Sequence, residues 1–189
     1  YTPDGTLYEF GDDGTFAGVW DWHSPTATFL AKTNGNLDMR LAKRWYLRRV
    51  TDTLGNTMEY RYRGEMSQEF GCTGWGADRA WYTRSIDPTE IYWSGYNGAG
   101  YALRVLFGYV NADRGDMQVK GNANNDCLQP LFAARNQLNT VTVQVLSQGS
   151  WQTLTTYTLT QSLLTYNYTG FATQYRLLLS SVTQSGKNG

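Results

Sequence analysis

The chain has 189 residues, with 16 basic and 16 acidic side chains and a single His, so its formal charge is zero. That balance argues against a nucleic-acid clamp or a binder of anionic membranes, both of which need excess positive charge. Charged residues make up only 17% and aromatics 15%, which excludes ordinary disorder, and no apolar run approaches the ~20 residues of a membrane-spanning helix.

The dominant pattern is period-two alternation punctuated by Gly, Asn and Asp, which predicts an all-β chain of antiparallel hairpins. Strands are predicted at Thr6–Phe10 and Thr26–Lys32, near turns at Asp12-Asp13-Gly14 and Asn34-Gly35-Asn36 whose residues tolerate positive φ. The next predicted strands, Trp45–Thr51 and Thr57–Arg63, flank Leu54-Gly55-Asn56. A further hairpin pairs Ser85–Asp87 and Glu90–Trp93 with Tyr101–Tyr109 across the Gly/Asn turn of Ser94–Gly100. Pro88 cannot donate to a central ladder, so the strand there is short or bulged. Leu128–Leu138 carries Pro130 early and Ala133-Ala134 inside, and is the one candidate for a short helix, near 128–138. Leu138–Val145 alternates Val with Thr and Gln, turns at Ser147-Gln148-Gly149-Ser150 and returns as Trp151–Thr160. A last strand is predicted at Tyr175–Thr183.

The most specific stretch is Trp45-x-Leu47-x-x-Val50-x-Asp52-x-x-Gly55-Asn56-x-x-x-Tyr60-x-Tyr62. Trp45, Leu47 and Val50 load one strand, and Asp52 leaves it with a carboxylate able to cap backbone N–H groups of the turn. Gly55 and Asn56 take the turn, and Tyr60 and Tyr62 share one face of the return strand. Trp and Tyr can then stack across the pair, worth about 0.5–1.5 kcal/mol beyond burial.

This unit resembles the YD-repeat, or Rhs, family, whose units run from a hydrophobic strand through Asp and a Gly-Asn turn to Tyr-x-Tyr. Thr2–Gly11, Leu138–Val145 and the Arg176-Leu-Leu-Leu179 run before Val182-Thr-Gln are similar to segments of its SpvB-like and Tc-toxin B-subunit branch. The insertion from Gly71 to Gly76 fits no repeat of that kind. The resemblance implies β-hairpins forming a curved sheet strip, part of a shell that can enclose a toxic polypeptide. It implies a non-catalytic structural segment, because the self-cleaving core of such shells is not recognisable here. With Tyr1 in place of an initiator Met and an end in mid-pattern, residues 1–189 are expected to be a single all-β segment of a longer secreted or surface protein. The expected partners are the rest of that parent chain or neighbouring copies.

Other chemistries are weaker. Cys72 and Cys127 lie in Gly- and Asn-rich stretches and are candidates for a disulfide, or for two free thiols. With His23 they make only three soft ligands, one short of a structural zinc site. His23 stands in Trp20-Asp21-Trp22-His23-Ser24 without a nucleophile elbow, so hydrolysis by a Ser–His–Asp triad is not expected. Asp21, Glu59, Asp87 and Glu90 are the carboxylates that a glycosidase would need to pair. Trp20, Trp22 and Trp93 are the candidates for stacking on sugar rings in the alternative reading, an extracellular carbohydrate-binding or carbohydrate-cleaving β-sandwich. A third reading is a filament or sheath subunit that self-assembles through sheet edges. Asp12-Asp13-Gly14 and Asn122–Asp126 lack the spacing of a calcium loop. Arg114-Gly115-Asp116 and the sequon Asn167-Tyr168-Thr169 are short matches of little weight. No cofactor is expected.

Overall fold

A computed structural model describes residues 2–11, 26–33, 36–70, 79–111, 136–166 and 174–186. Among them every regular element is a strand. The ten are β1 (Leu7–Phe10), β2 (Thr26–Thr33), β3 (Asn36–Trp45), β4 (Leu47–Thr51), β5 (Asn56–Phe70), β6 (Arg79–Tyr96), β7 (Leu103–Asn111), β8 (Asn136–Ser147), β9 (Ser150–Tyr166) and β10 (Gln174–Gly186). They form one open, curved antiparallel sheet in the order β1-β4-β5-β6-β7-β8-β9-β10, with β2 paired to β3 and β6 off that path.

Local chemistry sets the hairpins. Gln148 and Gly149 both take positive φ, 50° and 77°, between Ser147 and Ser150, which face each other in register. Two consecutive positive φ angles match the right-handed twist of the flanking strands. Asn97 and Gly98 do the same at the β6–β7 turn, with φ of 44° and 78°. β6 runs through Pro88, and the bulge expected there appears as a register shift, with Arg61 of β5 facing Glu90 and Tyr62 facing Pro88. On its other side β7 pairs with Glu90–Trp93 and does not reach Pro88, so that neighbour does not call on the missing N–H.

Three expectations change. The helix near 128–138 does not extend to its end, because Asn136, Gln137 and Leu138 pair with Asn111, Val110 and Tyr109 in β8; residues 128–135 lie outside the described residues. Trp45 closes β3 instead of opening β4. β3 itself, and the extensions of β5 to Phe70 and of β6 back to Arg79, were not marked by alternation. β3 and β4 are nearly continuous, yet β3 pairs with β2 and β4 with β1 and β5. The chain switches neighbours at Tyr46, whose carbonyl accepts the Gly11 N–H at 2.9 Å.

Register gives the sheet two unlike faces. One carries Val50 opposite Met58, then Tyr60, Ile91, Val105 and Val143 in line across four strands, and Phe107, Val141 and Tyr157 beside them. The other carries Glu9, Arg49, Glu59, Tyr92, Arg104, Gln144 and Thr153 in one row from β1 to β9. Yet among the described residues only Tyr62 and Tyr92 are buried hydrophobics, each 8% exposed. The apolar face is half-buried by its own neighbours, and among the described residues no second layer lies over it.

Candidate functional site

The Asp52 hairpin is held by a close set of bonds. One Asp52 carboxylate oxygen accepts the Leu54 and Asn56 backbone N–H groups at 2.9 and 2.8 Å, and the other accepts the Asn56 side-chain amide at 2.7 Å. The Gly55 N–H returns to the Asp52 carbonyl at 3.1 Å, and the Asp52 N–H donates to the Asn56 carbonyl at 3.0 Å. The Asn56 side chain, then its backbone N–H, hold the Asp52 carboxyl below the usual aspartate range, since both bond the charged form. Gly55 sits at φ +85°, and a Cβ there would strike the Asn97 side-chain oxygen. Asn97 in turn donates its N–H to the Gly55 carbonyl at 3.2 Å, which ties the β4–β5 turn to the β6–β7 turn.

Further along the ribbon, the Tyr62 hydroxyl donates to the Leu47 carbonyl at 2.7 Å. Its ring meets Tyr46 at 5.4 Å between centroids, tilted by 51°. Burial, with the phenols of Tyr60 and Tyr46 nearby, pushes the Tyr62 pKa up to about 12. The aromatic pair is therefore Tyr–Tyr. Trp45 is 62% exposed and contributes to the unit only by position. Asp52, Gly55 and Asn56 are bonded to one another and Tyr62 to Leu47, while Val50 and Tyr60 belong to the apolar face.

The opposite face holds a charged ladder that alternation alone did not single out. Arg61 Nε reaches Glu59 at 2.9 Å and its Nη1 reaches Glu90 at 3.3 Å, while Arg49 stands 3.8 Å from Glu59 and 4.0 Å from Glu9. Arg48 adds a 2.9 Å pair with Glu9. The Tyr101 and Tyr92 hydroxyls donate to Glu59 and Glu90, each at 2.9 Å. Arg61 also lies over the Tyr92 ring at 4.5 Å, Tyr92 touches Tyr101 and Trp151, and Arg104 lies over Trp151 at 4.3 Å. Burial opposes ionisation of Glu59, but the bonds from Arg61 and Tyr101 and the charges of Arg61 and Arg49 outweigh it and lower its pKa. A carboxyl held ionised by two arginines anchors ion pairs and is unsuited to giving up a proton as a general acid. Isolated exposed pairs are worth about 0.2–1 kcal/mol, and shared partners reduce the ordering cost of each further one.

Of the candidate carboxylates, Glu59 and Glu90 are both bonded to Arg61. Asp87 is buried, 7% exposed, and accepts the Asn136 side-chain amide at 2.7 Å. Trp93 faces Leu103 in register and is half-buried. Trp20, Asp21, Trp22, His23, Cys72, Cys127, Asp12-Asp13-Gly14, Asn34-Gly35, Gly71–Gly76, Arg114–Asp116, Asn122–Asp126 and Asn167–Thr169 lie outside the described residues. Among the described residues no group of three His, Cys, Asp or Glu side chains is arranged to hold a metal.

No family profile matches the chain, and no curated protein matches it in sequence. Two solved structures are similar to it. One is TcdB2-TccC3-TEV, at TM-score 0.47 and 12% identity over 86% of this chain and 8% of that one. The other is the N-terminal domain of effector protein SpvB from Salmonella typhimurium strain LT2, at TM-score 0.46 and 12% identity over 87% of this chain and 57% of that one. The chain thus spans less than two thirds of either, and the likeness concerns the outline of the fold alone.

Proposed function

We propose that this chain is a non-catalytic wall segment of a large secreted or surface YD-repeat protein, its hairpin strip forming part of a shell that encloses a polypeptide. The observation that carries the reading is the two-faced single layer. Along the eight-strand path an apolar row crosses β5 to β8 on one side and a polar row, ion-paired from β1 to β6, runs to β9 on the other, while only two hydrophobic side chains among the described residues are buried. A domain built to stand alone buries its apolar face against a second layer. Among the described residues one face of the strip stays uncovered, which fits a layer supplied by the rest of an assembly. The Asp52 unit supports the same reading, since both Asp52 carboxylate oxygens and the Asn56 side-chain amide nitrogen are spent on holding the turn.

The test is protease protection of the enclosed polypeptide in the secreted parent protein. Val105→Lys with Val143→Lys, adjacent in register on the apolar face, is expected to expose the enclosed polypeptide to cleavage. Arg49→Gln on the ion-paired face is expected to leave it protected. Unchanged protection with both lysines in place, or glycan hydrolysis by the purified chain, would defeat the proposal.

A further inference from the structure

Among the described residues three strands have an unpaired side, β1, β3 and β10, and the two ends of the main path differ in a way that bears on association. At one end β1 offers four residues, and its Glu9 is tied to Arg48. At the other, β10 offers thirteen residues with a single charge, Arg176, and no Pro. Among the described residues β10 pairs only with β9. Natural edge strands are usually kept short, charged or broken by Pro, because an open row of N–H and C=O groups templates another strand. Only a bulge at Ser180 interrupts this one, and Leu179 and Val182 on either side of it are 57% and 54% exposed.

We propose that β10 is an interaction edge for a second copy of this chain, the two β10 strands pairing antiparallel about a two-fold axis through the bulge. The register follows from the pleat. Leu177, Leu179 and Val182 share one face, as their β9 partners Leu163, Gln161 and Leu159 show, and paired residues must point to the same side. Setting Leu179 against Val182 of the second copy satisfies this and covers the two most exposed apolar side chains of the edge. Arg176 then faces Ser185 of the second copy, so no charge opposes a like charge. A head-to-tail filament would set β10 against β1, four residues long, or against β3, whose sequence carries Asp38, Arg40, Lys43 and Arg44, so the closed pair is favoured over the open one. An edge of thirteen residues is about 44 Å long, and at ~10 Å thickness the pair covers about 900 Å² in total. That is below the ~1,200 Å² of standard stable interfaces, so the association is weak and concentration-dependent. The inference goes beyond the wall reading and does not require it.

Analytical ultracentrifugation of the full 189-residue chain over a concentration series, with hydrogen exchange at both ends of the series, tests this. The expected result is a monomer–dimer equilibrium in which about half of the β10 amides, those not bonded to β9, gain protection as the dimer forms. Leu179→Lys/Val182→Lys and Leu179→Glu/Val182→Glu should each lose the dimer, and their mixture should regain it. A chain that stays monomeric, or one that associates without new protection in β10, would overturn the proposal.

Discussion

Replacing Tyr62 by Phe removes one hydroxyl and nothing else. The lost bond is the 2.7 Å donation to the Leu47 carbonyl, at a residue 8% exposed, where water does not readily take the phenol's place. Such a loss costs about 1 kcal/mol, toward 1.5 when the acceptor is left unsatisfied. At roughly 2.1 cal/mol/K per residue, 189 residues give an unfolding entropy of about 0.4 kcal/mol/K. Tyr62→Phe is therefore expected to lower Tm by about 2–4 °C in calorimetry of the chain. Tyr62→Ala also forfeits the ring, and at about 3–5 kcal/mol should lower Tm by roughly 8–12 °C. A double-mutant cycle with Tyr46→Ala isolates the ring contact, for which tilted aromatic pairs give about 0.5–1.5 kcal/mol of coupling. An unaltered Tm for Tyr62→Phe, or a coupling of zero, would refute the claim that this pair holds the β3–β4 crossing onto β5.

Gly108 has no room for a side chain, since a Cβ there would strike the Thr140 hydroxyl oxygen across the β7–β8 pair. Gly108→Ala should cost about 1–3 kcal/mol in chemical denaturation, and Thr140→Ala in the same chain should recover part of it. Burial, reinforced by Asp87 and opposed by Arg63, pushes Tyr109 to about 12, as burial does Tyr62. Because the unfolded chain ionises these phenols first, their contribution is complete below pH 10 and is lost as pH rises toward 12; phenolate absorbance followed alongside denaturation would show it, with a smaller loss in Tyr62→Phe. Asp52 has the opposite sign. Its lowered pKa makes its contribution complete above the usual aspartate range and lost as pH falls below it, so the Leu54 and Asn56 amide resonances should titrate in acid, and not at all in Asp52→Asn.

The turns were the most legible part of the chain. Gln148-Gly149, Asn97-Gly98 and Asp52-x-x-Gly55-Asn56 each declare a backbone geometry that few other residues adopt, and the structure uses all three. Strand lengths were less legible, because a strand extends as far as its partner runs. Gly64 and Gln68 carry little strand preference of their own, but face Ile86 and Trp81 along the whole of β6. The same effect explains Asn136–Leu138, where the Ala-rich approach suggested a helix and pairing with β7 prevailed. In the hairpin unit, one position separated expectation from structure. The Tyr62 ring meets Tyr46, because the switch of neighbours at that residue turns Trp45 outward, and no pattern within a single strand encodes such a switch. The ion-paired row was equally hidden, since Arg49, Glu59, Arg61 and Glu90 become neighbours only once the register is known.

The order of the strands also has a temporal meaning. From β4 to β10 each strand lies beside the one made just before it, so contacts close over short stretches of chain and little loop entropy has to be overcome at any step. A ribosome delivering this polypeptide would release material that can zip up vectorially, one ribbon after another. The exceptions are β2, which meets β6 through Phe29 and Tyr82, and β1, which must wait for β4. The amino-terminal end is thus the place where synthesis runs ahead of folding, and slowing translation before β6 should lengthen the time during which β2 stands without its second neighbour.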